Sequence, residues 1–472
     1  MKSKQLLILV CFALWVNDLM AQEFDEDRLT LSERQSLIRI LQKRKNLHRP
    51  NSDNLFDRKI RDLHEKRTQF LVRLIKHNLL ITPGSEFQRI QFLFDSLKTS
   101  DLIKRKESQL LIMRSPIPNA FCVGEGTIAV TTGLLEIMDT DEQVTWVLGH
   151  ELAHYELDHA NQHLRGYARR HSSLSRRQKQ ELSDPDKNIS LETLNAYKEM
   201  AFGLGKFKRK DEFEADSLGH LIFQDLKQPG YIGLKTLNTL DSAFEEQLPY
   251  HIDKIFNFRD YPFQKFWFKN RPSFFSRIPS SSLFPDDSTK SHPAMAERIS
   301  KLDLDFGISQ QLQVSIKTTP LDKSYALENL KSAYSSKNYD FLIFLAAKYY
   351  RQKEYRYWIV RLVSAALFEL YQLKGEPDFP YLVSPFTYQY GEHLTQVNNF
   401  LHNARPKDLL TIGFLFLNDG RNFNPKDESH FFMLWKYARA MDDFRLMNNI
   451  RRTYQEYHDD PKYLSQMRQV KY

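Results

Sequence analysis

Cysteine is nearly absent. The 472-residue chain has two, and one of them, Cys11, sits inside an apolar leader, so a processed chain keeps only Cys122 and has no partner for an internal disulfide. Stability must then come from core packing and from any bound metal. Long apolar runs are missing beyond the leader: the longest, around residues 341–347 and 411–417, are flanked by charge and fall short of the roughly 18 residues a membrane-spanning helix requires. No nucleic-acid-binding module accompanies the net charge of +8, which is modest for this length and spread along the chain, so no nucleic-acid partner is expected. With 41% hydrophobic and 27% charged residues the chain is not a disordered one, and its length accommodates two or three cores.

What is present begins with an export signal. Lys2 and Lys4 precede an apolar run over residues 6–16, and Leu19-Met20-Ala21 offers a cleavage site before Gln22. Residues 1–21 are therefore expected to be a signal peptide, with the periplasm as the first destination and the extracellular space as the second.

The chemistry gathers around WVLGHELAHYELDH, Trp146 to His159. On a helix His150 and His154, four residues apart, project from one face and can share a tetrahedral zinc ion, with Glu151 beside them as a base for water. A third ligand is available in DEFEADSLG, residues 211–219, where Glu212 and Asp216 share a helix face. Glu212 can ligate while Asp216 accepts a hydrogen bond from a ligand histidine. A metzincin would need Gly at 157 and His at 160, and this chain has Leu157 and Ala160. His159 is off that register and reads as a supporting or structural histidine.

In chain order, residues 22–80 read as an N-terminal helical region, with helices over residues 32–46 and 55–80. A protease domain is expected over 81–307. Within it come a helix from Ser85, short strands at 110–113, 120–123 and 127–131, a helix opening at Asp141-Glu142, and continuation of that helix past His159. A strand pair beside the HELAH helix can offer an edge for an extended substrate. A basic polar stretch over residues 169–188 reads as a solvated loop. Residues 251–285, rich in aromatics and basic groups, read as an insertion that either folds onto the protease domain or makes a lid, membrane-surface contact or partner arm. Residues 308–472 are expected to be helical, with a weak likeness to tetratricopeptide repeats and a capacity to hold a protein partner.

Four ordered blocks then resemble a known family: Asn119-Ala120-Phe121 with GEGTIAVTTGLL, DEQVTWVLGHELAHYELDHA, EFEADSLG, and Ser291-His292-Pro293 with Glu297-Arg298-Ile299. They are similar to the gluzincin peptidases that include HtpX, the CAAX prenyl proteases and the soluble BepA-like proteases. The resemblance implies an α+β, mainly helical zincin domain with a small sheet, followed by an all-α domain. It implies one zinc ion held by His150, His154 and Glu212, with Glu151 as base and Asp216 supporting a ligand. His292 and Arg298 become candidates for regulating the site or orienting substrate; with a tyrosine of the aromatic segment they are also the candidate oxyanion donors. The expected function is zinc-dependent endoproteolysis of exported or envelope proteins. The alternative is a chaperone-like scaffold acting through its C-terminal helices, with proteolysis latent.

Overall fold

The computed structural model describes residues 29–46, 54–76, 79–81, 85–170, 209–243, 251–269, 295–311, 325–376 and 391–468, with a few single positions beside them. The expected leader, the basic stretch from 171, Phe274, Phe275 and His292 lie outside the described residues. Among those described, no helix is long and apolar enough to cross a membrane. Among the described residues the chain divides into two compact units, one drawn from residues 29–243 and 295–325, the other from 251–269 and 326–468.

The first unit contains helices α1 (Leu31–Lys45), α2 (Leu55–Lys76) and α3 (Ser85–Leu97), then strands β1 (Gln109–Met113), β2 (Ala120–Val123) and β3 (Thr127–Thr131). Helices α4 (Thr132–Ile137), α5 (Asp141–Glu156), α6 (His159–Arg170), α7 (Arg209–Asp225), α8 (Tyr231–Asp241) and α9 (Met295–Phe306) follow. The sheet order is β1-β3-β2, with β1 parallel and β2 antiparallel to β3, so β2 lies at an edge. Between β2 and β3 the chain turns at Gly126, whose φ of +85 and close approach to the Tyr155 ring leave no room for a side chain.

Side chains alternate across a strand, and here both faces are covered. Leu110, Ile112, Ile128 and Val130 pack with α3, α5 and α7, while Leu111, Met113 and Ala129 pack with α1, α2 and α6. The N-terminal helices thus form one layer of the same unit as the HELAH helix. Each fully buried Leu, Ile or Phe in these layers contributes roughly 1.5–3 kcal/mol.

The second unit contains α10 (Tyr325–Ser335) from its second residue on, then α11 (Tyr339–Tyr349), α12 (Lys353–Leu373), α13 (Gly391–Asn403), α14 (Pro406–Asn418), α15 (Glu428–Ala440) and α16 (Phe444–Tyr457). Its interior mixes apolar packing with satisfied polar groups: Glu369 accepts from the hydroxyls of Tyr334 at 2.9 Å and Tyr339 at 2.6 Å, and the Tyr437 hydroxyl donates to the Ser364 carbonyl at 2.6 Å.

The described part of the aromatic segment, residues 251–269, falls in this second unit, whereas the sequence places 251–285 as an insertion in the protease domain. Trp267 is buried against Phe263 and Phe400, with ring centroids 5.0 and 5.5 Å away. Asn403 donates to the carbonyls of Trp267 at 3.0 Å and Lys269 at 2.7 Å, and the Tyr261 hydroxyl donates to Asp408 at 2.6 Å. The helices after residue 390 supply the apolar wall these aromatics need, and that pairing leaves no trace in local periodicity.

Candidate active site

Helix α5 is set from its first residue. Thr140 caps it by accepting from the Gln143 amide, and Asp141 and Glu142 place acidic groups in the first turn, where the helix dipole favours them. Arg89 of α3 holds Asp141 through contacts of 2.7 and 3.0 Å. Nearly the whole helix is buried, His150, Glu151 and His154 included. Trp146, one turn before His150, stacks on its ring with centroids 5.9 Å apart and planes 20° off parallel.

Helix α7 crosses α5 where two glycines meet. Gly219 lies against the backbone of Gly149 and His150 so closely that a methyl group on it would sit 2.9 Å from the His150 Cα. Two turns earlier on that face is Glu212, fully buried. The crossing therefore brings Glu212 to His150 and His154, whose Nε2 atoms are 3.0 Å apart. Glu212 places Oε2 3.7 Å from His150 Nε2 and its other oxygen, Oε1, 3.5 Å from His154 Nε2. A tetrahedral zinc ion with bonds of about 2.0–2.1 Å holds its donors about 3.3 Å apart. The three spacings bracket that value, and two imidazole nitrogens with a carboxylate are the donor types zinc prefers, so these residues fit the ion.

Supporting contacts orient the ring of His150. Its Nδ1 is 3.0 Å from Asp216 Oδ1, and Arg298 of α9 braces Asp216 from the other side at 2.6 and 2.8 Å. Burial pushes the Asp216 carboxyl up, but the Arg298 guanidinium outweighs it and holds the group down to about 2. Burial likewise lowers His150, yet Asp216 outweighs it and leaves the imidazole above its ordinary value. Arg298 itself is raised because Asp216 and Glu212 overcome its burial. Glu151 is buried, and its charge acts on both Arg298 and Cys122 of β2.

Of the residues singled out in the sequence, His150, His154, Glu151, Glu212, Asp216 and Arg298 converge. Two of the candidate oxyanion donors are committed elsewhere: Arg298 to Asp216 and Glu212, and Tyr261 to Asp408 within the other unit. The helix expected to run past His159 breaks before it. Leu157 closes α5, Asp158 adopts a left-handed φ of 59, and α6 restarts at His159. Asp158 is suited to that turn because its carboxylate accepts from Asn161 at 2.8 Å and Arg105 at 3.2 Å. Sequence reasoning also missed Glu214, Trp146 and Gly219. A glycine inside a helix is unfavourable without a packing reason, and that was the available signal for Gly219.

Comparison with known proteins gives two findings. Residues 85–304 match the family described as Peptidase family M48. A 46-residue stretch is 46% identical to a protein of Arabidopsis thaliana named mitochondrial metalloendopeptidase OMA1, covering 10% of this chain and 10% of that protein. The chain thus spans about a tenth of the length of this curated relative.

Proposed function

We propose, from the match of residues 85–304 to Peptidase family M48, that the protein is a zinc-dependent endopeptidase holding one ion per chain on His150, His154 and Glu212. The observation that carries this reading is the set of donor spacings, 3.0, 3.5 and 3.7 Å, among three buried side chains beside a buried Glu151. Zinc held by His150, His154 and Glu212 would supply Lewis acidity for a scissile carbonyl and for a water molecule near neutral pH.

Glu151 takes the proton from the attacking water and returns it to the leaving amine. Asp216, braced by Arg298, keeps the His150 proton on Nδ1 and so leaves Nε2 as a lone pair toward the site. Edge strand β2 is the proposed pairing partner for an extended substrate, whose backbone would add to the sheet. We further propose that its substrates are exported or envelope proteins, a reading supported by the basic-then-apolar pattern of residues 2–16.

The test is Glu151→Gln. It should bind zinc and fold as the wild type does while cleavage of an unfolded protein substrate falls by at least about 100-fold. In the native compartment the same variant should retain proteins that the wild type cleaves. Undiminished cleavage by Glu151→Gln overturns the mechanism. Survival of the biological effect without cleavage replaces it with a scaffold role.

A further inference from the structure

A second group of metal-competent side chains lies behind the first. His159, Asp211 and Glu214 bring their donor atoms within 4.8 Å of one another. His159 is buried, its Nδ1 is 2.9 Å from His154 Nδ1, and its Nε2 is 3.3 Å from Glu214 Oε2. Taken alone this group resembles a further cation site; proton placement argues otherwise.

A neutral imidazole carries one N–H. If His154 presents Nε2 as a lone pair beside that of His150, its proton is on Nδ1 and points at His159 Nδ1. His159 Nδ1 must then accept, and its own proton sits on Nε2, directed at the Glu214 carboxylate. A cation on His159 Nε2 would move that proton to Nδ1 and set two N–H groups against each other across 2.9 Å.

We propose that His159 is a positioning residue that holds His154 in its ligating tautomer through an Nδ1–H···Nδ1 bond, with Glu214 anchoring the relay, and that this relay closes the His159–Asp211–Glu214 group to a second metal. The inference rests on the metal site proposed above. The two ligand histidines are then supported differently: His150 by a carboxylate directly, His154 by a carboxylate through an imidazole.

The break at Asp158 is what permits this. On an uninterrupted helix, residues five apart are about 140° apart around the axis, so His159 would point away from His154. The left-handed Asp158 folds it back. Arg67 of α2, fully buried, pins the restart by donating to the Ala160 carbonyl at 2.8 Å and to Asn161 at 3.0 Å. The acidic pair has further partners, His163 on Asp211 at 2.6 Å and Lys210 on Glu214 at 3.2 Å.

The test measures zinc stoichiometry and affinity by competition with a chromophoric chelator on the full chain. The wild type should take up one zinc tightly. His159→Phe, which fills the space but cannot accept, should weaken binding about 10- to 100-fold. His159→Asn, whose side-chain oxygen can take the place of Nδ1, should recover most of that loss. A space-filling role for His159 would give the opposite order and overturns the proposal, as does tight binding of a second zinc by the wild type. Nitrogen-15 imidazole spectra of the zinc-loaded wild type give the same answer without a variant: a proton on Nε2 of His159 supports the relay, and a proton on Nδ1 refutes it. A wild-type chain that binds no zinc overturns the metal site itself, a result distinct from either.

Discussion

The crossing of α5 and α7 at Gly219 makes a substitution there a sharp probe of how the site is assembled. In Gly219→Ala the new methyl would meet the His150 Cα at 2.9 Å, its amide nitrogen at 3.0 Å and the Gly149 carbonyl carbon at 3.2 Å. Carbon atoms pack best about 3.5–4.0 Å apart, so the helices must part by about 0.5–1 Å. The obstacle is the backbone of a buried helix, which has no flexible tip to swing aside. Overpacking of this kind costs about 1–3 kcal/mol, and the better helix propensity of alanine offsets about 1 kcal/mol. A net loss of about 1 kcal/mol is expected, a fall of about 2–4 °C in the melting temperature of a unit this size.

Zinc affinity should suffer more. Glu212 is seven residues, or two turns, before Gly219 and on the same face, so it moves with the displaced helix while His150 and His154 stay on the other. Metal–ligand distances tolerate about 0.2 Å, less than the required displacement. Chelator competition should show affinity reduced at least about tenfold, beyond anything the small stability loss would explain. A Gly219→Ala protein as stable as the wild type, with unchanged zinc affinity, would refute the reasoning from close helix approach.

Two further outcomes follow from the packing. His220, fully buried against the Phe306 ring at 4.5 Å, has its imidazole lowered by burial to about 4, with the Asp216 charge pulling weakly the other way. A depressed histidine favours the folded state above its unfolded value of about 6.5, and that stability, up to about 3 kcal/mol, is lost as pH falls from about 6.5 toward 4. Replacing it as His220→Phe should flatten denaturant-measured stability over that window, while leaving the Asp216 loss, between its unfolded value of 3.8 and about 2, in place; an unchanged slope above pH 4 would be the contrary result. Trp267→Ala should cost the second unit about 3–5 kcal/mol in thermal or denaturant unfolding and leave zinc binding unaltered, because its partners Phe263 and Phe400 belong to that unit. Equal stability in that variant would mean the aromatic segment is not part of the helical core.

Much of the site was legible in the chain because its information is local. His150 and His154 share a helix face through their spacing alone, as do Glu212 and Asp216, and the strands at 109–113, 120–123 and 127–131 announce themselves by short apolar runs between turn residues. Periodicity also set the mainly helical character and the helical C-terminal part. It could not say which helices cover which face of the sheet, nor that Trp267 and its neighbours belong with residues beyond 390, because those pairings join segments far apart in sequence. The tertiary structure alone decided how Glu212 reaches the histidines, through the glycine contact between α5 and α7. It alone turned His159 toward His154, since a single left-handed residue at 158 reverses where every later side chain points, and residue type only weakly signals such a turn. Side-chain spacing selects the donors; the crossing of two helices and one backbone turn determine whether those donors meet.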